Sequence, residues 1–161
     1  MSAAGRAWLR AGLLCALVVL ADQAAKAAIE HNLFPGQQVE VLGPLELTLS
    51  HNRGVAFGLA GGAGAPLIVF TLVALGFVVS IFARDPLRRG MWIAGGLVVG
   101  GALGNLIDRV RAGEVTDFVD VASWPPFNLA DVAITFGVGL LVLILLRETE
   151  GEQAEGEPRG G

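Results

Sequence analysis

The sequence predicts an all-α membrane protein: four transmembrane helices, with a small β-sheet on the outer side between helices 1 and 2. Three observations predict it. Hydrophobic residues make up 53% of the chain and charged residues 16%, where a soluble domain carries about a quarter charged residues. The mean hydropathy is +0.64. The apolar residues gather in four runs, each able to reach the roughly 17–25 residues needed to cross the hydrocarbon of a bilayer.

The first run extends from about Trp8 to Ile29; its stretch Ala11 to Ala21 has no charge, and Asp22 and Lys26 enter its far end. The second lies in the uncharged stretch Gly54 to Ala83, beginning near Pro66, and the third is Gly90 to Ile107. The fourth runs from about Asn128 to Leu146 and is uncharged from Val132 onward. These spans make one four-helix membrane unit, residues 1–147. The remainder, 148–161, is a Gly/Glu/Pro tail that cannot bury a core and is expected to be disordered.

Orientation follows from the basic residues. Arg6 and Arg10 precede the first span, Arg84, Arg88 and Arg89 fill the turn between the second and third, and Arg147 follows the fourth. An even number of spans puts these groups on one side, which is then cytoplasmic, with both termini. Lys26, Arg53, Arg109 and Arg111 fall on the other side. Between His31 and Ala65 the texture changes: Val39 and Val41, then Leu45, Leu47 and Leu49, alternate with polar neighbours around Gly43-Pro44. That period of two predicts a hairpin or curled sheet on the outer membrane surface.

Several function classes drop out. A net charge of −4 gives no reason to expect a nucleic-acid partner. There are two histidines, His31 and His51, and no H-E-x-x-H zinc motif, no G-x-S-x-G, and no Lys-Ser/Thr after Gly61, Gly62 and Gly64 to make a phosphate-binding loop. No metal or cofactor is expected. Cys15, the lone cysteine, allows no intrachain disulfide. A large residue, Leu14, precedes it, unlike the small one of a lipobox, so it reads as packing. The N-terminal segment also shares features with a cleaved signal peptide, including small residues at Ala25 and Ala27; the spanning reading is preferred.

On this topology the unusual polar residues fall in one layer near the outer interface. Asp22 and Lys26 end the first span. Asn52 lies in the first outer loop. Asn105, Asp108 and Arg109 end the third span, Asp117 and Asp120 lie in the second outer loop, and Asn128 and Asp131 open the fourth span. Ionisable groups at membrane depth are costly and usually functional. Plainer readings stand beside that one. Asp22 and Lys26 are spaced to pair on one helix face. Gly100, Gly101 and Gly104 permit close helix packing, and Asn105, Asp108 and Arg109 could form an interfacial cluster, with Asp108 and Arg109 as an ion pair. Asn128 and Asp131 resemble an N-cap with an acidic third position. Asp120 reads as a solvated carboxylate.

Two carboxylates held together in a partly dry site cannot easily both ionise; such a pair can activate water and protonate a leaving amine. The competing readings are an ion-coupled transporter and a structural assembly factor. All the acids lie at one end of the spans, whereas a transporter favours a site at the midplane.

Five blocks, "DQAAK", "NRGVAF", "GGALGNLIDR", "VTDF" and "FNLAD", occur in this order across nearly the whole chain up to Arg147. With this topology the chain resembles the lipoprotein signal peptidase (signal peptidase II) family of bacterial inner membranes. The resemblance implies four transmembrane helices with a β-sheet cradle on the outer side. It implies an aspartic endopeptidase that cuts diacylglyceryl-modified prolipoproteins just before the lipidated cysteine, with membrane lipids around it. It also implies a catalytic pair at Asp117 and Asp131, supported by Asp22, Lys26, Asn52, Gly54, Asn105, Asp108, Arg109 and Asn128. Asp120 lies outside the motif. The segment Phe118 to Ala130, containing Pro125 and Pro126, is compact.

Overall fold

A computed structural model of the chain describes residues 1–54, 64–122 and 124–156, with 148–156 as backbone only. The sequence reading of Gly61 and Gly62, and of the tail over 157–161, lies outside the described residues. Four helices occur in the order α1 (Ala3–Asn32), α2 (Gly64–Arg84), α3 (Met91–Ala112) and α4 (Leu129–Gly156). Each contains a stretch long and apolar enough to span a membrane, that of α4 ending at Arg147. The chain is a multi-pass membrane protein. Helix backbone continues in α4 to Gly156, where the sequence reading ended ordered structure at Arg147. Extending a nucleated helix costs little, and Glu, Gln and Ala favour it.

Packing explains the composition. Leu9, Leu13, Leu17 and Leu20 form an exposed stripe along α1, and Val69, Phe70, Val73 and Phe77 are exposed on α2. Such faces suit lipid, while each helix satisfies its own backbone hydrogen bonds. α3 is central and packs against α1, α2 and α4. Its glycines make this possible: a Cβ at Gly100 would stand 2.8 Å from Val18 Cβ on α1, and one at Gly104 2.7 Å from Asp22 Oδ2. At Gly101 it would collide with the Ala130 carbonyl on α4. The expected close packing of this glycine run is therefore present on two faces. At the opposite end of the bundle Ala7, Ala11, Phe82, Met91, Ala94, Leu141 and Ile144 form an apolar core.

The sheet differs from the expectation in one respect. The β-hairpin of the first long loop is there, as β1 (Gln38–Leu42) and β2 (Leu45–Asn52). The second long loop, however, also folds as strands, β3 (Val115–Val121) and β4 (Trp124–Phe127). All four form one antiparallel sheet in the order β1-β2-β3-β4. The cradle is thus built from both loops rather than between helices 1 and 2 alone. "VTDFVDV" is rich in β-branched residues, and β2 offers it an edge, pairing Ser50 with Asp117 and Asn52 with Val115. Because β2 and β3 pair, both sheet insertions lie at one end of the bundle and the short α2–α3 turn at the other.

Candidate active site

The site forms where the sheet meets the ends of α1, α3 and α4. Asn128 precedes α4 and caps it: its Oδ1 accepts the Asp131 N–H at 3.0 Å, and its own N–H donates to Asp131 Oδ2 at 3.2 Å. This reciprocal arrangement is a capping box. The N-cap reading is borne out, and the Asn128 amide faces the other way as well. Its Nδ2 donates to Asp117 Oδ1 at 2.7 Å, with Asn105 Oδ1 at 3.1 Å and the Thr116 carbonyl at 3.3 Å. Two N–H groups thus serve three acceptors, and Asn128 is fully buried.

Asp117, on β3, receives a second hydrogen bond from Asn52 Nδ2 at 3.0 Å. Asn52 Oδ1 in turn accepts the Gly54 N–H at 2.8 Å. Gly54 has φ +74°, and a Cβ there would clash with Leu67 of α2, so glycine is required for this turn. Only 3% of Asp117 is exposed. Burial, and secondarily the charge of Asp131, push its carboxyl up to about 6, against the opposing hydrogen bonds from Asn52 and Asn128 and the charge of Lys26. Asp131 accepts from Asn105 Nδ2 at 2.8 Å. Asn105 therefore reaches Asp131 with one end of its amide and Asn128 with the other.

Behind these groups lies a buried ion cluster. Lys26 Nζ is 2.8 Å from Asp22 Oδ2, 2.6 Å from Asp108 Oδ2 and 3.0 Å from Asn105 Oδ1. All three ammonium hydrogens have acceptors. The expected Asp22–Lys26 pair is present, but the Asp108–Arg109 pair is not. Asp108 turns to Lys26, while Arg109 bonds the Asn105 carbonyl at 3.4 Å. Neighbours on a helix point about 100° apart, so Asp108 and Arg109 cannot share a face. Asp22 does more than pair: its Oδ1 accepts the Ala130 N–H at 2.9 Å, satisfying an orphan donor in the first turn of α4.

All ten residues singled out in the sequence meet here or border the site. Three contributors were missed. Gln23 Nε2 donates to Asp108 Oδ1 at 2.8 Å. Thr116 Oγ1 donates to Glu30 Oε1 at 2.6 Å, tying α1 to the strand that carries Asp117. Gln23 stood in plain view inside "DQAAK"; nothing local marks the Thr116–Glu30 pair. Asp120 is half-buried on β3, 3.5 Å from Gln38 Nε2, and stands apart from the network.

One face of the network opens on a groove of about 320 Å³ between α2, α3 and α4. Asn105, Arg109 and Asp131 line its polar part, and Leu67, Phe70 and Leu75 are among its apolar walls.

Comparison with known proteins bears directly on this arrangement. The sequence profile of the family described as "Signal peptidase (SPase) II" matches residues 14–147. The chain belongs to this family. It is 45% identical over 144 residues to a lipoprotein signal peptidase of Moorella thermoacetica, covering 88% of this chain and 95% of that one. Identity to the lipoprotein signal peptidase of Coxiella burnetii is 42% over 145 residues, covering 83% of this chain and 87% of that one. The fold matches a bacterial membrane enzyme solved by the in meso method at 1.9 Å resolution, with a TM-score of 0.79, 36% identity and coverage of 84% and 92%. A second such structure, at 2.3 Å, gives 0.80, 33%, 94% and 93%. As a signal peptidase II, the chain is a membrane peptidase that removes signal peptides from lipoproteins.

Proposed function

We propose that the chain is an aspartic endopeptidase that cleaves diacylglyceryl-modified prolipoproteins just before the lipidated cysteine, using Asp117 and Asp131 as a proton-sharing pair. One observation carries this reading. Two carboxylates on different elements are linked through the single residue Asn128, whose side-chain Nδ2 donates to Asp117 Oδ1 and whose backbone N–H donates to Asp131 Oδ2, and Asp131 borders a largely apolar groove. That combination suits a peptide bond presented at membrane depth by its lipid.

The roles follow from the surroundings. Asp117 is the more buried, and its raised carboxyl range suits the member that keeps a proton. Asp131 lies in the first turn of α4, where the helix N-terminus attracts negative charge. Water between them loses its proton to Asp131 as its oxygen attacks the scissile carbonyl carbon. Asp117 protonates the carbonyl oxygen, giving a neutral tetrahedral intermediate. Collapse breaks the C–N bond; the proton on Asp131 passes to the leaving amine, and Asp117 recovers its own from the gem-diol. Asn105, Asn128 and Asn52 hold the two carboxylates at fixed orientation. Lys26, Asp22 and Asp108 brace them, and Arg109 and Gly54 border the substrate.

Residues 1–147 constitute the peptidase domain, and the acidic tail 148–161 stands outside it. Both termini and the arginine-bearing turn lie on the cytoplasmic side, which directs the site to the outer face. The arginine distribution supports this orientation. The reading is tested by incubating the purified protein, and its Asp117→Asn variant, with a diacylglyceryl-modified prolipoprotein and with the unmodified precursor. Cleavage before the lipidated cysteine by the parent alone is expected. Cleavage by a folded Asp117→Asn variant at the parent rate would overturn the mechanism.

A further inference from the structure

At the bundle end opposite the sheet, two hollows flank the α2–α3 turn. One, of about 330 Å³, is lined by Arg6, Arg10, Arg88 and Arg89 together with Leu87 and Trp92. The other, of about 610 Å³, is lined by Arg88, Arg89 and Arg147 with Leu140, Leu143 and Ile144. They share Arg88, Arg89 and Gly90. No acidic side chain among the described residues lines either; Asp85, in the same turn, lines neither.

Some of this charge is already committed. Arg88 Nη2 donates to the Ile144 carbonyl at 2.5 Å, and Arg6 Nη1 to the Met1 carbonyl at 3.0 Å. Arg10, Arg89 and Arg147 are exposed around the hollows. α3 begins between them at Gly90, which supplies no side-chain cap, so the positive end of the helix adds to the arginines. Like charges gathered around a concave surface repel unless an anion sits among them. The hollows combine this with apolar walls: Leu143 is 56% exposed, and the neighbouring Leu146 57%. A soluble anion would use the arginines and leave those walls bare, whereas a lipid satisfies both.

We infer that this end binds an anionic phospholipid, its headgroup phosphodiester held on Arg89 between Arg10 and Arg147 and its acyl chains lying along the Leu140–Leu143 face of α4. Charge complementarity selects the headgroup, and continuity with the lipid-facing surface selects a lipid over a free anion. Orienting the chain in the membrane needs only positive charge at this end. Retaining one lipid needs the charges to converge on the α2–α3 turn, and that is the property tested. The inference is independent of which residues cut the substrate.

The full chain is purified in a non-ionic detergent and titrated with phosphatidylglycerol, phosphatidylcholine and inorganic phosphate at constant ionic strength, with bound lipid read by native mass spectrometry. Phosphatidylglycerol is expected to bind as a discrete adduct and phosphatidylcholine far more weakly. An arginine near an anionic headgroup contributes about fivefold in affinity, so Arg10→Gln/Arg89→Gln should lose on the order of 25-fold. Arg10→Lys/Arg89→Lys keeps the charge and should stay within about fivefold of the parent. If the glutamine variant does not fold, Arg147→Gln, a single exposed position, should still cost about fivefold. Equal binding of the two lipids, unchanged affinity in the glutamine variants, or displacement of the lipid by millimolar phosphate would each overturn the assignment.

Discussion

Asn105 on α3 donates from Nδ2 to Asp131 Oδ1 at 2.8 Å, while its Oδ1 accepts from Lys26 Nζ at 3.0 Å. One amide thereby connects a buried ammonium on α1 to a carboxylate on α4. Through it the ion cluster and the proposed reacting groups form one hydrogen-bonded unit, and perturbing either end should be felt at the other.

Asp117→Asn and Asp131→Asn are each expected to lower single-turnover cleavage of lipidated substrate by on the order of a thousandfold, since each removes an acid–base partner. The double variant should be little worse than either, because residues acting as a unit are non-additive. Rates measured for the three variants with matched folding and substrate binding decide the matter. Losses that multiply, or one single variant near the parent rate, would sink the shared-proton pair.

Lys26→Ala leaves Asp22 and Asp108 buried without their counter-ion. Removing one partner of a buried ion pair typically costs about 3–5 kcal/mol, so thermal unfolding in detergent should come at a clearly lower temperature. Activity should fall only in part, since Lys26 bonds Asn105 rather than either member of the pair directly. A stable, well-folded Lys26→Ala protein as inactive as Asp117→Asn would require a direct catalytic role for Lys26.

The raised carboxyl of Asp117 has a signed consequence for stability. Its ordinary value is 3.8 and its folded value about 6. Between these, the folded state holds more protons than the unfolded one, so stability from this group falls as pH rises through that window. Asp117→Asn cannot ionise. Its unfolding free energy should therefore decline less between about pH 4 and 6 than the parent's, even though its amide can accept only one of the two hydrogen bonds that Asn52 and Asn128 donate to Asp117. Parallel pH profiles for the two proteins would contradict the burial effect.

The orientation can be read chemically. In a Cys15→Ala background, a cysteine placed at Gln37, beside β1, should react with an impermeant thiol reagent in intact cells stripped of their outer membrane. One placed at Gly156 should react only after lysis. The reverse pattern would put the polar layer on the wrong side for exported substrates.

The span positions, the arginine asymmetry and the single polar layer were legible in the sequence because each is a property of local spacing. Hydrophobic length defines a span, an i,i+4 interval places Lys26 over Asp22, and an i,i+3 interval lets Asn128 and Asp131 cap a helix. The glycine face of α3 was legible for the same reason, since residues three or four apart share a side of the helix. What tertiary structure alone decided is which distant group each polar atom meets. Asp108 takes Lys26 rather than its neighbour Arg109, and Asp22 caps a helix that begins more than a hundred residues later. "VTDFVDV" becomes a strand only because β2 supplies an edge. Buried polar groups must find partners or pay for desolvation, and in a bundle those partners arrive from other helices. The sequence could announce the demand for a partner; only the packing of α1, α3 and α4 around one layer determined who answers it.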